Sequence, residues 1–215
     1  MNRRLALAVL PLLLAVTACT SGTVDDDPPP RPAAAERPSP FQDCATLSTA
    51  PTAASPGSGP TTSGTPGTTA RAAGGSALPE LTLSCFTGGA PVVLREVAGP
   101  AVINVWASWC PPCRKELPAF QRLSERAAGQ LQVVGVNSRD SRSGAQSIGE
   151  DFGVRFPILV DQGEALQREL KRNAIPLTLF VAADGQVRHI DASGALDDVT
   201  LAKLVRQHLG LAVPA

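Results

Sequence analysis

The sequence predicts an α/β domain over residues 78–215, a mixed central sheet with helices on both faces. Three observations carry this expectation. From Leu81 to Leu209, apolar runs with the composition of buried strands alternate with amphipathic segments of helical period, the alternation that builds a sheet covered by helices. The run Val102-Ile103-Asn104-Val105-Trp106-Ala107 leads directly to Trp109-Cys110-Pro111-Pro112-Cys113, which places a Cys-x-x-Cys where a buried strand gives way to a helix. The order then closes on a hairpin and a last helix, so antiparallel strands join the earlier ones in a mixed sheet.

In chain order, Leu81-Thr82-Leu83 and Val92-Val93-Leu94 read as a small hairpin around Thr87-Gly88-Gly89. Residues 101–107 read as the central strand. Residues 111–128 read as a helix, whose first turn tolerates two prolines because the N–H they lack has no helical partner there. Pro118 is expected to kink this helix and Gly129 to end it. Residues 131–136 are apolar throughout, a strand buried on both faces. Residues 144–152 are weakly helical, 157–160 a short strand, and 164–172 a helix with Glu164, Arg168, Glu169 and Arg172 as i, i+4 surface pairs. Residues 177–182 and 187–190 form a hairpin around Asp184-Gly185. Asp197 or Asp198 caps a last helix, with Leu201, Leu204, Val205, His208 and Leu209 at helical spacing and Gly210 as its stop.

Composition narrows the class. The 215 residues suffice for one domain plus an extension. Net charge is +0, the pI is about 6.7 and no basic block occurs, so nucleic-acid binding has no support. Aromatic residues make up 4% and tyrosine is absent, so the core should be mostly aliphatic. Asn2-Arg3-Arg4 is a positive n-region, and residues 5–16 are an apolar h-region too short for a comfortable membrane span. Val16-Thr17-Ala18-Cys19 resembles a bacterial lipobox, in which Cys19 is lipidated and becomes the new N-terminus; an ordinary cleaved secretory signal is the alternative. Residues 1–19 are therefore expected to be a lipoprotein signal that leaves the protein lipid-anchored on the extracytoplasmic face of the cell membrane. Residues 20–77 are expected to be a largely disordered Pro-, Ala-, Gly-, Ser- and Thr-rich tether, in which residues 41–47 dock on the domain.

The five cysteines sort by position. With Cys19 lipidated and Cys110 and Cys113 paired, Cys44 and Cys85 are left over and are expected to form a structural disulfide; a second redox pair is the alternative. Zinc would need four ligands, and the isolated Cys44 and Cys85, with His189 and His208 far apart in sequence, do not supply them, so no metal is expected. A helix N-terminus stabilises a thiolate through free N–H groups and partial positive charge, and two cysteines three residues apart there can close a disulfide and reopen it by exchange. Cys110 should be the exposed nucleophile, and Cys113, one turn in, the buried resolving thiol. Trp109 should cover the disulfide and form part of the partner surface. Pro111 and Pro112 have no N–H to offer the Cys110 thiolate, which argues for a less acidic thiol and a less oxidising protein.

The stretch Trp106-Ala107-Ser108-Trp109-Cys110-Pro111-Pro112-Cys113-Arg114-Lys115-Glu116-Leu117-Pro118 resembles the active site of thioredoxin-fold proteins, and among them the membrane-associated TlpA/ResA-like thiol-disulfide oxidoreductases. The resemblance covers roughly residues 78–211. It implies a thioredoxin fold elaborated by an N-terminal hairpin and a helix–strand insertion between residues 141 and 161. It also implies disulfide exchange with partner proteins, without a cofactor. Ile175-Pro176 fits the family's cis-proline, beside which the substrate chain pairs; Leu177 stands where Thr is common in relatives. Asn104 occupies the position of a buried acid in thioredoxin itself, and Asn cannot take a proton. Glu116, three residues past Cys113 on the same helical face, matches a Glu near the active site of ResA-like proteins. A carboxylate there could accept the Cys113 proton or shift its pKa; a solvated surface Glu is the alternative.

The resemblance further implies a reducing role, with disulfide-containing extracytoplasmic proteins as substrates. Apocytochrome c is one candidate, in cytochrome c-type biogenesis, with a membrane electron donor of the CcdA/DsbD type. An oxidant or isomerase of secreted proteins is the alternative within the same chemistry, and a non-catalytic binding lipoprotein is the alternative outside it. The peroxidatic Pro-x-x-x-Thr-x-x-Cys pattern is absent.

Overall fold

The computed structural model of the chain describes residues 37–51 and 75–215. The signal segment with Cys19 and most of the tether lie outside the described residues. Pro38–Ala215 form one compact unit. Its strands are β1 (Ser76–Ala77), β2 (Thr82–Cys85), β3 (Val92–Val93), β4 (Ala101–Trp106), β5 (Gln132–Ser138), β6 (Ile158–Asp161), β7 (Leu177–Val181) and β8 (Gln186–Asp191). Its helices are α1 (Pro111–Arg126), α2 (Arg142–Asp151), α3 (Ala165–Glu169) and α4 (Asp198–Leu209). The strands form a sheet in the order β1-β8-β7-β4-β5-β6-β2-β3. β4 runs parallel to β5 and antiparallel to β7, and β5 is parallel to β6, which makes the sheet mixed. This is the thioredoxin fold with the expected N-terminal hairpin, β2 against β3.

All six residues of β4 are buried, as a strand with both faces covered requires. Alternation along the strand sends Val102, Asn104 and Trp106 to one face and Ala101, Ile103 and Val105 to the other. On the first face Val102 and Trp106 share a core with Leu117, Phe120 and Leu123 of α1 and Leu201 and Val205 of α4. On the second, Ile103 and Val105 pack with Val134, Leu179 and Leu166 of α3. Local chemistry sets the helix ends. Cys110 N-caps α1, with its sulfur accepting from Cys113 N–H. Pro118 lies inside α1, which continues to Arg126. Asp197 caps α4 by accepting from Thr200 N–H at 2.8 Å, and Gly210, at φ 71°, closes it in the left-handed region.

Close approach of backbones fixes one glycine. A Cβ on Gly99, just before β4, would lie 1.9 Å from the Ala182 carbonyl oxygen, just past β7. Gly99→Ala should therefore destabilise the domain by about 3 kcal/mol, since rigid backbone cannot yield as a side chain does. A urea midpoint unchanged from wild type would contradict this.

The element bounds depart from the sequence expectations most clearly at three places. α3 is shorter than residues 164–172, because Glu164 (φ 55°) and Lys171 (φ 54°) are left-handed and bracket it. The Asp161 carboxylate, accepting from Ala165 and Leu166 N–H at 2.9 Å each, starts the helix from outside. Glu164 consequently pairs across space with Arg139 at 3.3 Å instead of with Arg168, and Arg168 turns to the Gly163 carbonyl. α2 begins at Arg142, capped by Ser141, two residues before the expected start. The domain also begins earlier than residue 78: Ser76–Ala77 pair antiparallel with β8 and cover its outer edge. Upstream, Phe41 and Leu47 are buried, with the Phe41 ring edge-on to Phe86 at 4.8 Å.

Candidate active site

The site forms where the chain leaves the carboxyl end of β4. Cys110 N–H donates to the Ala107 carbonyl at 3.2 Å, turning the chain, and α1 starts at once. Cys110 and Cys113 are joined as a disulfide with their Cα atoms 5.3 Å apart. Pro111 and Pro112 occupy the first turn and donate nothing; the donor to Cys110 Sγ is the Cys113 N–H at 3.3 Å. The same N–H would stabilise a Cys110 thiolate.

Ile175-Pro176 is a cis peptide, as is Gly99-Pro100, which nothing in the sequence pointed to. The Ile175 carbonyl oxygen lies 4.0 Å from Cys110 Sγ, so the segment before β7 faces the disulfide across the turn. Pro112, Ile175, Pro176 and Leu177 line a cavity of about 300 Å³ together with Arg172 and Ser193. Cys110 is only 3% exposed and Cys113 is fully buried. The expectation of an exposed Cys110 is thus corrected for the disulfide form: its sulfur is bonded to Cys113 on one side and faces Ile175 on the other. The open part of the site is Trp109, 53% exposed, whose indole N–H donates to the Arg139 carbonyl at 2.9 Å.

Glu116 is buried beneath the site and not solvated. Its Oε1 accepts from Asn104 Nδ2 at 2.6 Å and its Oε2 from Leu196 N–H at 3.1 Å. Burial raises its carboxyl from 4.5 to about 7, against the lowering effect of those two donors. Asn104 cannot ionise, but its amide suits either form of its neighbour. Nδ2 meets the carboxylate, and a half-turn would offer Oδ1, which has no partner among the described residues, to the acid.

A pH dependence follows. Below about pH 4.5 Glu116 is protonated in folded and unfolded chains alike. Between 4.5 and 7 the folded chain holds a proton that the unfolded chain has released, so stability falls as pH rises through this window. The loss attributable to Glu116 is about 3 kcal/mol. Denaturant midpoints of wild type and Glu116→Gln at pH 4.5 and 7.5 should show the variant retaining that amount. Identical pH dependence in the two would contradict the assignment.

Several contributors were not legible beforehand. Asp140, buried just past β5, accepts from Ser108 N–H at 2.5 Å, Ser108 Oγ at 2.6 Å, Asn137 Nδ2 at 2.9 Å and Ser141 N–H at 2.8 Å. The available signal was the polar run Asn137-Ser138-Arg139-Asp140 ending an apolar strand. Leu196 contributes only its backbone, which sequence does not flag.

Away from this site, Cys44 and Cys85 are bonded to each other and buried, 41 residues apart in sequence. His189 and His208, distant in sequence, stack with ring centroids 4.0 Å apart; burial, and then the neighbouring His189, lower the basicity of His208. Among the described residues no group of three or more His, Cys, Asp or Glu side chains could hold a metal ion. No helix there is long and apolar enough to cross a membrane.

Comparison with known proteins agrees with the fold. The family model described as Redoxin matches residues 73–205. ResA, a thiol-disulfide oxidoreductase of Halalkalibacterium halodurans, is 26% identical over 113 residues, 52% of this chain and 64% of that protein. Sporulation thiol-disulfide oxidoreductase A of Bacillus subtilis is 29% identical over 116 residues, 52% of this chain and 70% of that protein. The match to ResA of H. halodurans therefore spans less than two thirds of that relative. Among solved structures, a secreted thiol-disulfide isomerase of Corynebacterium glutamicum aligns with a TM-score of 0.52 and 27% identity, covering 63% of this chain and 84% of that one. A secreted Mycobacterium tuberculosis disulfide oxidoreductase aligns with a TM-score of 0.53 at 23% identity, over 60% and 96% of the two chains, and shows the shared fold. With its sheet order, its Cys-Pro-Pro-Cys turn and this match over most of the domain, the chain belongs to the Redoxin family, as a ResA/TlpA-like thioredoxin-fold member.

Proposed function

We propose that the chain is an extracytoplasmic thiol-disulfide oxidoreductase, which exchanges disulfides with partner proteins through Cys110 and Cys113. The observation that carries this reading is the disulfide at the N-terminus of α1, its Cys110 sulfur receiving the Cys113 N–H and facing Ile175 beside an open groove. In the reducing direction, the Cys110 thiolate attacks one sulfur of a substrate disulfide. That S–S bond breaks, a Cys110–substrate bond forms, and the other substrate sulfur leaves as thiolate. The Cys113 thiolate then attacks Cys110 Sγ, releases the substrate's second sulfur, and closes the Cys110–Cys113 disulfide. Two electrons pass to the substrate, and a reductant must restore the dithiol. Cys113 loses its proton on becoming a nucleophile. Glu116, three residues further along α1 and near half-protonated at neutral pH, is the proposed acceptor of that proton.

The reducing direction is favoured by Pro111 and Pro112, which withhold backbone donors from the Cys110 thiolate. The names of the ResA relatives support the exchange chemistry. Apocytochrome c is the candidate substrate and a CcdA/DsbD-type membrane protein the candidate donor. Cys19 is the proposed lipid anchor, and Cys44–Cys85 the structural disulfide. Rapid acid quench and alkylation in growing cells tests the direction. Cys110 and Cys113 should be mostly reduced while Cys44 and Cys85 are oxidised. A mostly oxidised active-site pair would point to an oxidant, and the cytochrome assignment would fall first. A Cys19→Ala variant that still sediments with membranes would remove the lipid anchor.

A further inference from the structure

The loop after β5 grips the active-site turn at two consecutive residues. The Arg139 carbonyl receives the Trp109 indole N–H, and the Asp140 carboxylate receives both the N–H and the hydroxyl of Ser108. Both contacts fall immediately before Cys110. Arg139 takes a left-handed conformation, φ 45°, which is uncommon for a residue with a side chain. Its N–H donates to the Asp161 carbonyl at 3.0 Å and its guanidinium pairs with Glu164. Gln162 Nε2 donates to the Asp140 carbonyl at 2.8 Å. The gripping residues are thus held from β6 and the loop beyond it, and not by the active-site turn alone.

Asp140 is filled by its donors. Oδ2 accepts from Ser108 N–H and Asn137 Nδ2; Oδ1 accepts from Ser108 Oγ and Ser141 N–H. Four donors on two oxygens is what an ionised carboxylate can take and a neutral amide cannot. With Asn at this position, the NH₂ group must replace one oxygen. At Oδ2 the Asn137 amide could turn to offer its oxygen, but the Ser108 N–H would still be opposed. At Oδ1 the Ser108 hydroxyl could turn round to accept, but the Ser141 N–H would still be opposed.

From this we infer that Asp140 is a positioning residue for the redox site: it confines the Ser108–Trp109–Cys110 turn so that Cys110 Sγ stays within bonding reach of Cys113. The inference rests on the reading of Cys110 and Cys113 as an exchanging pair. Holding two reacting groups in place raises their effective concentration. Here that stabilises the intramolecular disulfide relative to the dithiol and makes the protein a weaker oxidant. Loosening the turn lowers the effective concentration and shifts the balance toward the dithiol.

The test is the equilibrium in which protein disulfide and two glutathione thiols give protein dithiol and one glutathione disulfide. It is followed on the full chain by alkylation of Cys110 and Cys113. Asp140→Asn should raise the equilibrium constant about tenfold, which is about 30 mV for two electrons. A merely structural carboxylate would lower the melting temperature and leave this constant alone, so a folded variant with a constant within twofold of wild type overturns the proposal. If Asp140→Asn does not fold, Ser108→Ala takes its place, since it deletes only the 2.6 Å hydroxyl bond. It should raise the constant about threefold, and an unchanged value overturns the proposal equally. A wild-type protein whose Cys110–Cys113 pair does not equilibrate with glutathione at all would instead defeat the exchange reading beneath it.

Discussion

Cys110→Ser should lower insulin reduction by roughly a thousandfold or more, to the rate of the dithiol reagent alone, because the attacking thiolate is gone. Cys113→Ser should behave differently. Cys110 keeps its cap and its Cys113-position N–H donor, since that N–H belongs to the backbone. It can still attack, but the mixed disulfide then has no internal thiol to resolve it. Cys113→Ser should therefore accumulate protein–substrate adducts that non-reducing gels display and thiols release. Placing the nucleophile at Cys110 rests on two features: it is the N-cap residue of α1, and it is the sulfur that faces Ile175, a residue lining the groove. If adducts collect on Cys110→Ser and not on Cys113→Ser, the roles are reversed. If the double variant retains full activity, the site is elsewhere.

Removal of the second disulfide by Cys44→Ser and Cys85→Ser together should cost about 4 kcal/mol, from the chain-entropy value of a loop closed across 41 residues. For a domain of this size that is a fall in melting temperature of about 10 °C. The contacts say where the loss should appear. Cys44 lies on the docked stretch that buries Phe41 and Leu47, while Cys85 ends β2. Without the bond, residues 41–47 are held by apolar packing and a few hydrogen bonds, such as Gln42 N–H to the Arg155 carbonyl at 2.7 Å. Hydrogen exchange should accelerate first at Gln42 and Leu47, with insulin reduction retained. A second redox pair would show the reverse pattern, with little change in stability and a clear loss of exchange activity.

Much of this site is a local property of the chain. A buried apolar strand running into Cys-Pro-Pro-Cys and then a helix is written in consecutive residues. So are the α4 cap, narrowed to Asp197 or Asp198, and the Gly210 stop, because capping and helix initiation involve neighbours within four positions. The order of the elements was enough for the mixed sheet, and the pattern of apolar residues for most element bounds to within two residues. α3 failed because its start is governed by Asp161 and its ends by left-handed residues that no periodicity marks.

What tertiary structure alone decided has one physical cause: burial and partner choice depend on surfaces far apart in sequence. Spacing put Glu116 on the Cys113 side of a helix, but only the packing of α1 on β4, and of the Leu196 backbone against both, made it a buried carboxyl titrating near 7. Composition put Ser76–Ala77 in a tether, but the outer edge of β8 made them a strand. Nothing near Asp140 in sequence names Ser108 as its partner 32 residues away; the parallel pairing of β4 with β5 brings their carboxyl ends together and makes it so. The chain by itself determined the cysteine pair and the fold that presents it. Packing decided which polar groups surround that pair, and in which charge state.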